Sequence, residues 1–118
     1  MKKLLLLTLA FVAVTANAQE KFTVGALTYT VTSPTTVELT KLDSKVMGVV
    51  NIPEKVTGKD AHQYTVTSIG ESACKWSDAV SIMLPETVDS IKHSAFSGCK
   101  FPEITLPQKL RYIGPYAF

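Results

Sequence analysis

Little in this sequence offers chemistry. Its only imidazoles are His62 and His93, and neither sits in the context of a nucleophile elbow, a zinc-protease helix or a phosphate-binding loop. A nucleophile needs a base and an orienting group within reach, so this scarcity argues against an enzyme and leaves no catalytic residue to name. Carboxylates are available, and Glu54 and Glu86 each follow a proline, but that context is an exposed loop. The soft ligands are Cys74, Cys99 and the two histidines. Their spacings fit no zinc template and no C-x-x-C pair is present, so neither a metal nor a cofactor is expected.

Two further scarcities exclude partners. No run of Lys or Arg occurs, and the net charge of +2 comes from 12 basic against 10 acidic residues. Both surplus cations are Lys2 and Lys3, at the head of a three-part leader. Leu4 to Val14 is apolar apart from Thr8, and Ala16-Asn17-Ala18 supplies the small residues of a cleavage site. Cleavage after Ala18 leaves a neutral chain, which gives no support for nucleic acid or an anionic membrane surface as partner. The apolar run is about half of the roughly 20 residues needed to span a bilayer, so no transmembrane segment is expected. No cysteine follows the junction, which argues against lipidation there. The chain is expected to be exported, and export would place Cys74 and Cys99 where disulfides are permitted.

What the chain has in abundance is repetition. "SIMLPETVDSIKHSAF" (81–96) returns 22 residues later as "EITLPQKLRYIGPYAF" (103–118). With Pro85 on Pro107, Ile82 falls on Ile104, Leu84 on Leu106, Val88 on Leu110, Ile91 on Ile113, Ala95 on Ala117 and Phe96 on Phe118. A stretched copy precedes them. "VVNIPEKV" matches the first half and "SIGESAC" the second, with ten extra residues between. Those fall in "TGKDAHQYTV", where Gly58-Lys59-Asp60 signals a turn and "QYTVTSI" alternates as a strand does, so a hairpin insertion is expected.

In each unit "xIxLP" reads as a strand whose Ile and Leu face inward, ended by a proline that cannot donate to a ladder. The rest, "xxVxxIGxxAF", carries apolar residues inward on a tight return path. A unit of this length cannot close a core alone, and stacked copies bury one another's columns. Before the repeats, Phe22 and Val24, then Leu27, Tyr29 and Val31, then Val37 and Leu39 alternate, punctuated by Gly25 and Ser33-Pro34. These predict two or three short antiparallel strands. The segment is too small to bury a core of its own, so it is read as an N-terminal cap.

The pattern "IxLPxxVxxIxxxAFxxC", complete from Ile82 to Cys99, resembles the BspA-type leucine-rich repeat of secreted and surface bacterial proteins. The lead-in "FTVGALTYTVTS" resembles theirs too. Three positions depart from it. Cys74 stands for the usual Phe, Lys92 for the usual Gly, and the last unit stops at Phe118 before its Cys. The fold expected is a β-rich leucine-rich-repeat solenoid of roughly 22-residue coils. It divides into a leader (1–18), an N-terminal β cap (19–48) and repeats (49–118). The repeats run 49–78 with the hairpin insertion, 79–100, and an incomplete 101–118 read as a fragment of a longer array. The resemblance implies surface exposure and adhesion to host or neighbouring-cell proteins.

The candidate binding face follows from alternation. Outward residues of successive strands stack into a ladder of Asn51, Met83 and Thr105, flanked by Val49, Ser81 and Glu103. Its mixed character suits a protein partner or an ordinary solvated sheet. Trp76, Tyr112 and Tyr116 are secondary candidates, either for an interface or, in a glycan-binding reading, for sugar rings. A third reading makes the repeats a spacer. Cys74 aligns with Phe96 and Cys99 with Ser77, three columns apart in adjacent coils. That separation argues against a Cys74–Cys99 bridge, whose Cα atoms must lie about 4.4–6.8 Å apart.

Overall fold

A computed structural model describes residues 20–118. The leader and its junction after Ala18 lie outside them. The described chain is strand-rich, and its one helical element is a 3-10 turn at Lys59–Ala61.

The alternating N-terminal segment forms β1 (Lys21–Val24), β2 (Leu27–Val31) and β3 (Thr36–Leu42). They pair antiparallel in sequence order. The β1–β2 turn places Gly25 at φ +61°, a conformation that costs glycine nothing. At the next turn the Ser33 hydroxyl accepts the N–H groups of Thr35 (3.2 Å) and Thr36 (3.0 Å), the local bonding that makes serine a turn residue. Tyr29, Val37 and Leu39 are fully buried. The Phe22 ring packs 5.6 Å from Tyr29 and 5.9 Å from Tyr64.

β4 (Met47–Asn51) follows, and then the expected hairpin of β5 (Lys55–Thr57) and β6 (Gln63–Ile69). Its turn closes through Gly58 N–H to His62 O at 2.7 Å. His62 Nε2 lies 2.8 Å from the Pro34 carbonyl, tying the hairpin to the β2–β3 turn. β6 then lies parallel to β3, with Leu39 opposite Ile69. The N-terminal strands and the second half of the first repeat therefore share one sheet.

The repeats add β7 (Asp78–Met83), β8 (Ser90–Ile91) and β9 (Tyr112–Ile113). β4 and β7 form a two-stranded parallel sheet. β6, β8 and β9 pair in parallel at the edge of the larger sheet, which runs β1-β2-β3-β6-β8-β9 with β5 beside β6. Neither sheet closes on itself. The return path, read from sequence as a connection only in the second and third units, thus carries a short strand in each unit at Ser68–Ile69, Ser90–Ile91 and Tyr112–Ile113.

Beyond these strands a tight turn stacks at the repeat spacing. Ser72 N–H donates to His93 O and Ser94 N–H to Pro115 O, both at 3.0 Å. Cys74 N–H bonds Ala95 O and Phe96 N–H bonds Ala117 O, both at 2.7 Å. Ser72, Ser94 and Tyr116 share one left-handed φ, 57°, 56° and 57°. Inward columns are buried as expected in the first two units: Ile69, Ala73 and Cys74, then Val88, Ile91, Ala95 and Phe96.

The third unit departs from the sequence reading in its first half. Glu103–Leu106 forms no strand. Pro102 and Pro107 bracket it and remove two backbone donors, and β7 would be its sole partner. Ile104 is half-buried, and Leu106, Ile113 and Phe118 are exposed.

Gly98 sits at φ +78°, and a Cβ there would collide with the ring of Trp76, which lies over it. Gly98→Ala should therefore cost at least about 1 kcal/mol of stability through backbone strain alone. It should also lift the indole from its seat. Trp76 is the single tryptophan, so its emission reports directly. A red shift with a lowered urea midpoint is expected, and an unchanged spectrum would place the ring elsewhere.

Candidate functional site

Two strands position the candidate face. In β4 the sequence Met-Gly-Val-Val-Asn turns Val50 inward and Met47, Val49 and Asn51 outward. In β7 both Ala79 and Ile82 are buried although they are three residues apart, which strict alternation forbids. A bulge resolves this. Gly48 pairs with Ala79 but Val49 pairs with Ser81, so β7 carries one extra residue. The bulge leaves Val80 outward as well as Met83.

The register sets Val49 opposite Ser81 and Asn51 opposite Met83. Four apolar residues stand on this small sheet in solvent: Met47 at 77% exposure, Val49 at 60%, Val80 at 59% and Met83 at 55%. Met47 and Val80 were missed by the sequence reading. Val80 could not be found there, because a bulge depends on the partner strand.

Thr105 and Glu103 do not extend the ladder as a third strand. Both are exposed, and they line the far wall of a groove whose near wall is β7. The groove measures about 330 Å³ and holds Ser81, Met83, Glu103 and Thr105 together. Ile82, Leu84 and Ile104 form its apolar floor, and Glu86 stands at its end. The Gln108 N–H donates to Glu86 Oε1 at 3.2 Å and holds that carboxylate in place. Across the face, Asp78 pairs in register with Met47 and meets Lys100 Nζ at 3.7 Å.

The aromatic candidates do not gather at this groove's walls. Trp76 is exposed and rests on Gly98. Tyr116 meets the edge of His93 at 5.8 Å, and His93 Nδ1 lies 3.7 Å from Glu71 Oε2. Tyr112 lies in β9 opposite Ser90. Among the described residues no cluster of three or more His, Cys, Asp or Glu could hold a metal ion.

The thiols lie closer than the register argument implies. The tight turn folds back, so Cys99 Sγ donates to the Cys74 carbonyl at 3.0 Å. Both cysteines are free. Burial, and then the nearby Cys99, pushes the Cys74 thiol up to about 12, so it has no nucleophilic character at neutral pH. Lys92, in the column where Gly70 and Gly114 stand, has a partner of its own. Its Nζ lies 2.7 Å from Glu38 Oε1, which also accepts the Ser68 hydroxyl at 2.8 Å.

The pattern of the BspA type leucine rich repeat region (6 copies) matches residues 63–118. A leucine-rich repeat protein from Bacteroides capillosus is similar over 83% of this chain and 73% of its own, at 32% identity and a TM-score of 0.77. The chain belongs to the BspA-type leucine-rich-repeat family. A second leucine-rich repeat protein, from Bacteroides ovatus, is also 32% identical with a TM-score of 0.61, over 82% of this chain and 32% of that one. A leucine rich cell surface protein from Faecalibacterium prausnitzii is 25% identical with a TM-score of 0.70, over 84% of this chain and 27% of that one. The chain therefore spans about a third or less of these last two. No curated protein matches it significantly. Family membership makes this a bacterial repeat protein of a kind suited to protein interaction, and among the described residues no helix is long and apolar enough to cross a membrane.

Proposed function

We propose that this leucine-rich-repeat protein is exported and binds an extracellular protein, on a host or a neighbouring cell, through its exposed strand face. The site is Asn51, Met83 and Thr105 with Val49, Ser81 and Glu103. In this reading residues 19–48 cap a solenoid wound by residues 49–118, and the first eighteen residues are a leader removed after Ala18. The backbone bonds that recur at the repeat spacing support the solenoid, and the three-part leader supports export. The name of the Faecalibacterium relative, a cell surface protein, points the same way.

One observation carries the binding reading. Met47, Val49, Val80 and Met83 stand in solvent on a single two-stranded sheet. Scattered exposed apolar residues are ordinary, but a contiguous set marks an interaction surface.

The test sets an array of purified extracellular proteins beside an array of glycans. The chain should be retained by proteins, and Met83→Arg and Thr105→Arg should abolish retention with the circular dichroism spectrum unchanged. Retention on glycans, lost with Trp76→Ala or Tyr112→Ala, would move the site to the aromatics. Indifference to all four substitutions would leave the repeats a spacer.

A further inference from the structure

The groove beside β7 carries information about the partner's chemistry, which deepens the reading above and rests on it. β7 is hydrogen-bonded to β4 alone. Its other edge faces the groove, across from a third-unit segment that forms no strand. An open strand edge pairs with an extended chain through backbone bonds, and alternate side chains then supply specificity. The side chains here fall into two kinds. Met83 and Val80 present apolar surface outward. Glu86 and Glu103 line the groove, and no Lys or Arg does.

An approaching strand sends alternate residues to opposite sides. One set would lie over Met83 and Val80. The other would enter the groove, where a long aliphatic stem can run along Ile82 and Ile104 and its charged head reach the carboxylates. An anionic side chain in the same position would be repelled by both glutamates. A neutral one would gain no charge attraction from them.

We infer that the β7 groove accepts an extended cationic segment of a partner protein, in which Lys or Arg alternates with apolar residues. The sheet face sets the place, and the one-signed groove selects the occupant by charge complementarity.

The experiment uses the full chain and two fluorescently labelled ten-residue peptides, alternating Val-Lys and alternating Val-Glu, read by anisotropy. The Val-Lys peptide should bind and weaken as salt rises, and the Val-Glu peptide should not bind. Glu86→Gln with Glu103→Gln should weaken the Val-Lys peptide by about tenfold or more and flatten its salt dependence. Met83→Arg should abolish binding. Equal binding of both peptides, or Val-Lys binding indifferent to the paired Gln variant, overturns the inference. So does the absence of any peptide binding. In each of those cases the protein array still judges the face: retention lost with Met83→Arg keeps the interaction reading, and retention indifferent to it removes that reading as well.

Discussion

Phe96→Ala should lower the stability of this chain by about 3–5 kcal/mol, the range for truncating a buried phenylalanine. Phe96 is the aromatic centre of the repeat stack. Its ring is 1% exposed, lies nearly parallel to Phe118 with centroids 5.5 Å apart and meets Phe101 edge-on at 6.1 Å. Its own N–H is bonded to Ala117 O, so the backbone cannot drift inward to fill the space without breaking a bond between units. The same column holds Cys74 in the first unit, buried with a side chain less than half the size. That comparison shows that the column tolerates a small residue where its surroundings match, and at Phe96 they do not. Domains of this size are typically stable by about 5–15 kcal/mol, so the loss takes a large share of the margin. Urea unfolding followed by circular dichroism measures it, with Phe96→Leu as the milder reference at about 1 kcal/mol. A change below 1 kcal/mol for the alanine variant would mean that Phe101 and Phe118 collapse into the gap, and that the stack is softer than its geometry implies.

The units were legible because their signal is redundant. Six apolar columns and a proline recurring at one spacing need no partner to be seen, and Gly58-Lys59-Asp60 announces its turn locally. What stayed hidden depends on neighbours distant in sequence. The extra residue in β7 exists only relative to β4, so alternation alone could not expose Val80. The failed strand at Glu103–Leu106 is a matter of supply: prolines on both sides and one available edge outweigh a favourable pattern. Lys92 read as a simple departure from glycine, yet its partner Glu38 lies in the N-terminal sheet, and no local rule connects the two. The candidate face divides in the same way. Alternation named Val49, Asn51, Ser81 and Met83, which the β4–β7 register sets side by side. It also named Thr105 and Glu103, but the groove that brings Glu103 and Glu86 together required the fold.

Alkali should unfold this protein before it unfolds a chain of similar size without buried ionisable groups. Tyr29 is fully buried, and its hydroxyl has no hydrogen-bond partner among the described residues. Burial raises its pKa from 10.0 to about 12. Cys74, 1% exposed, rises from 9.0 to about 12, through burial first and the nearby Cys99 second. Both groups are neutral when protonated. Below pH 9 each is protonated in the folded and the unfolded chain alike, and neither makes stability depend on pH. As pH rises past 9 the unfolded thiol ionises while the folded one keeps its proton, so the unfolded state gains. From pH 10 the tyrosine adds to this. Stability is therefore complete below about pH 9 and falls until the folded groups ionise near pH 12. At 1.4 kcal/mol per unit the cysteine contributes a loss of about 4 kcal/mol and the tyrosine about 3 kcal/mol, together comparable with the whole stability of a small domain. Cys74→Ala separates the two. It should cost some stability at neutral pH through lost packing, then decline less steeply than the parent between pH 9 and 10, where the Cys99 thiol, also raised by burial, still contributes. Absorbance at 295 nm follows tyrosine ionisation in the same titration, and the last of the four tyrosines should ionise in step with the loss of the circular dichroism signal. Should all four ionise while the β signal persists, water reaches the Tyr29 hydroxyl in the folded state, and the N-terminal sheet is more open than the packing of Phe22 against it indicates.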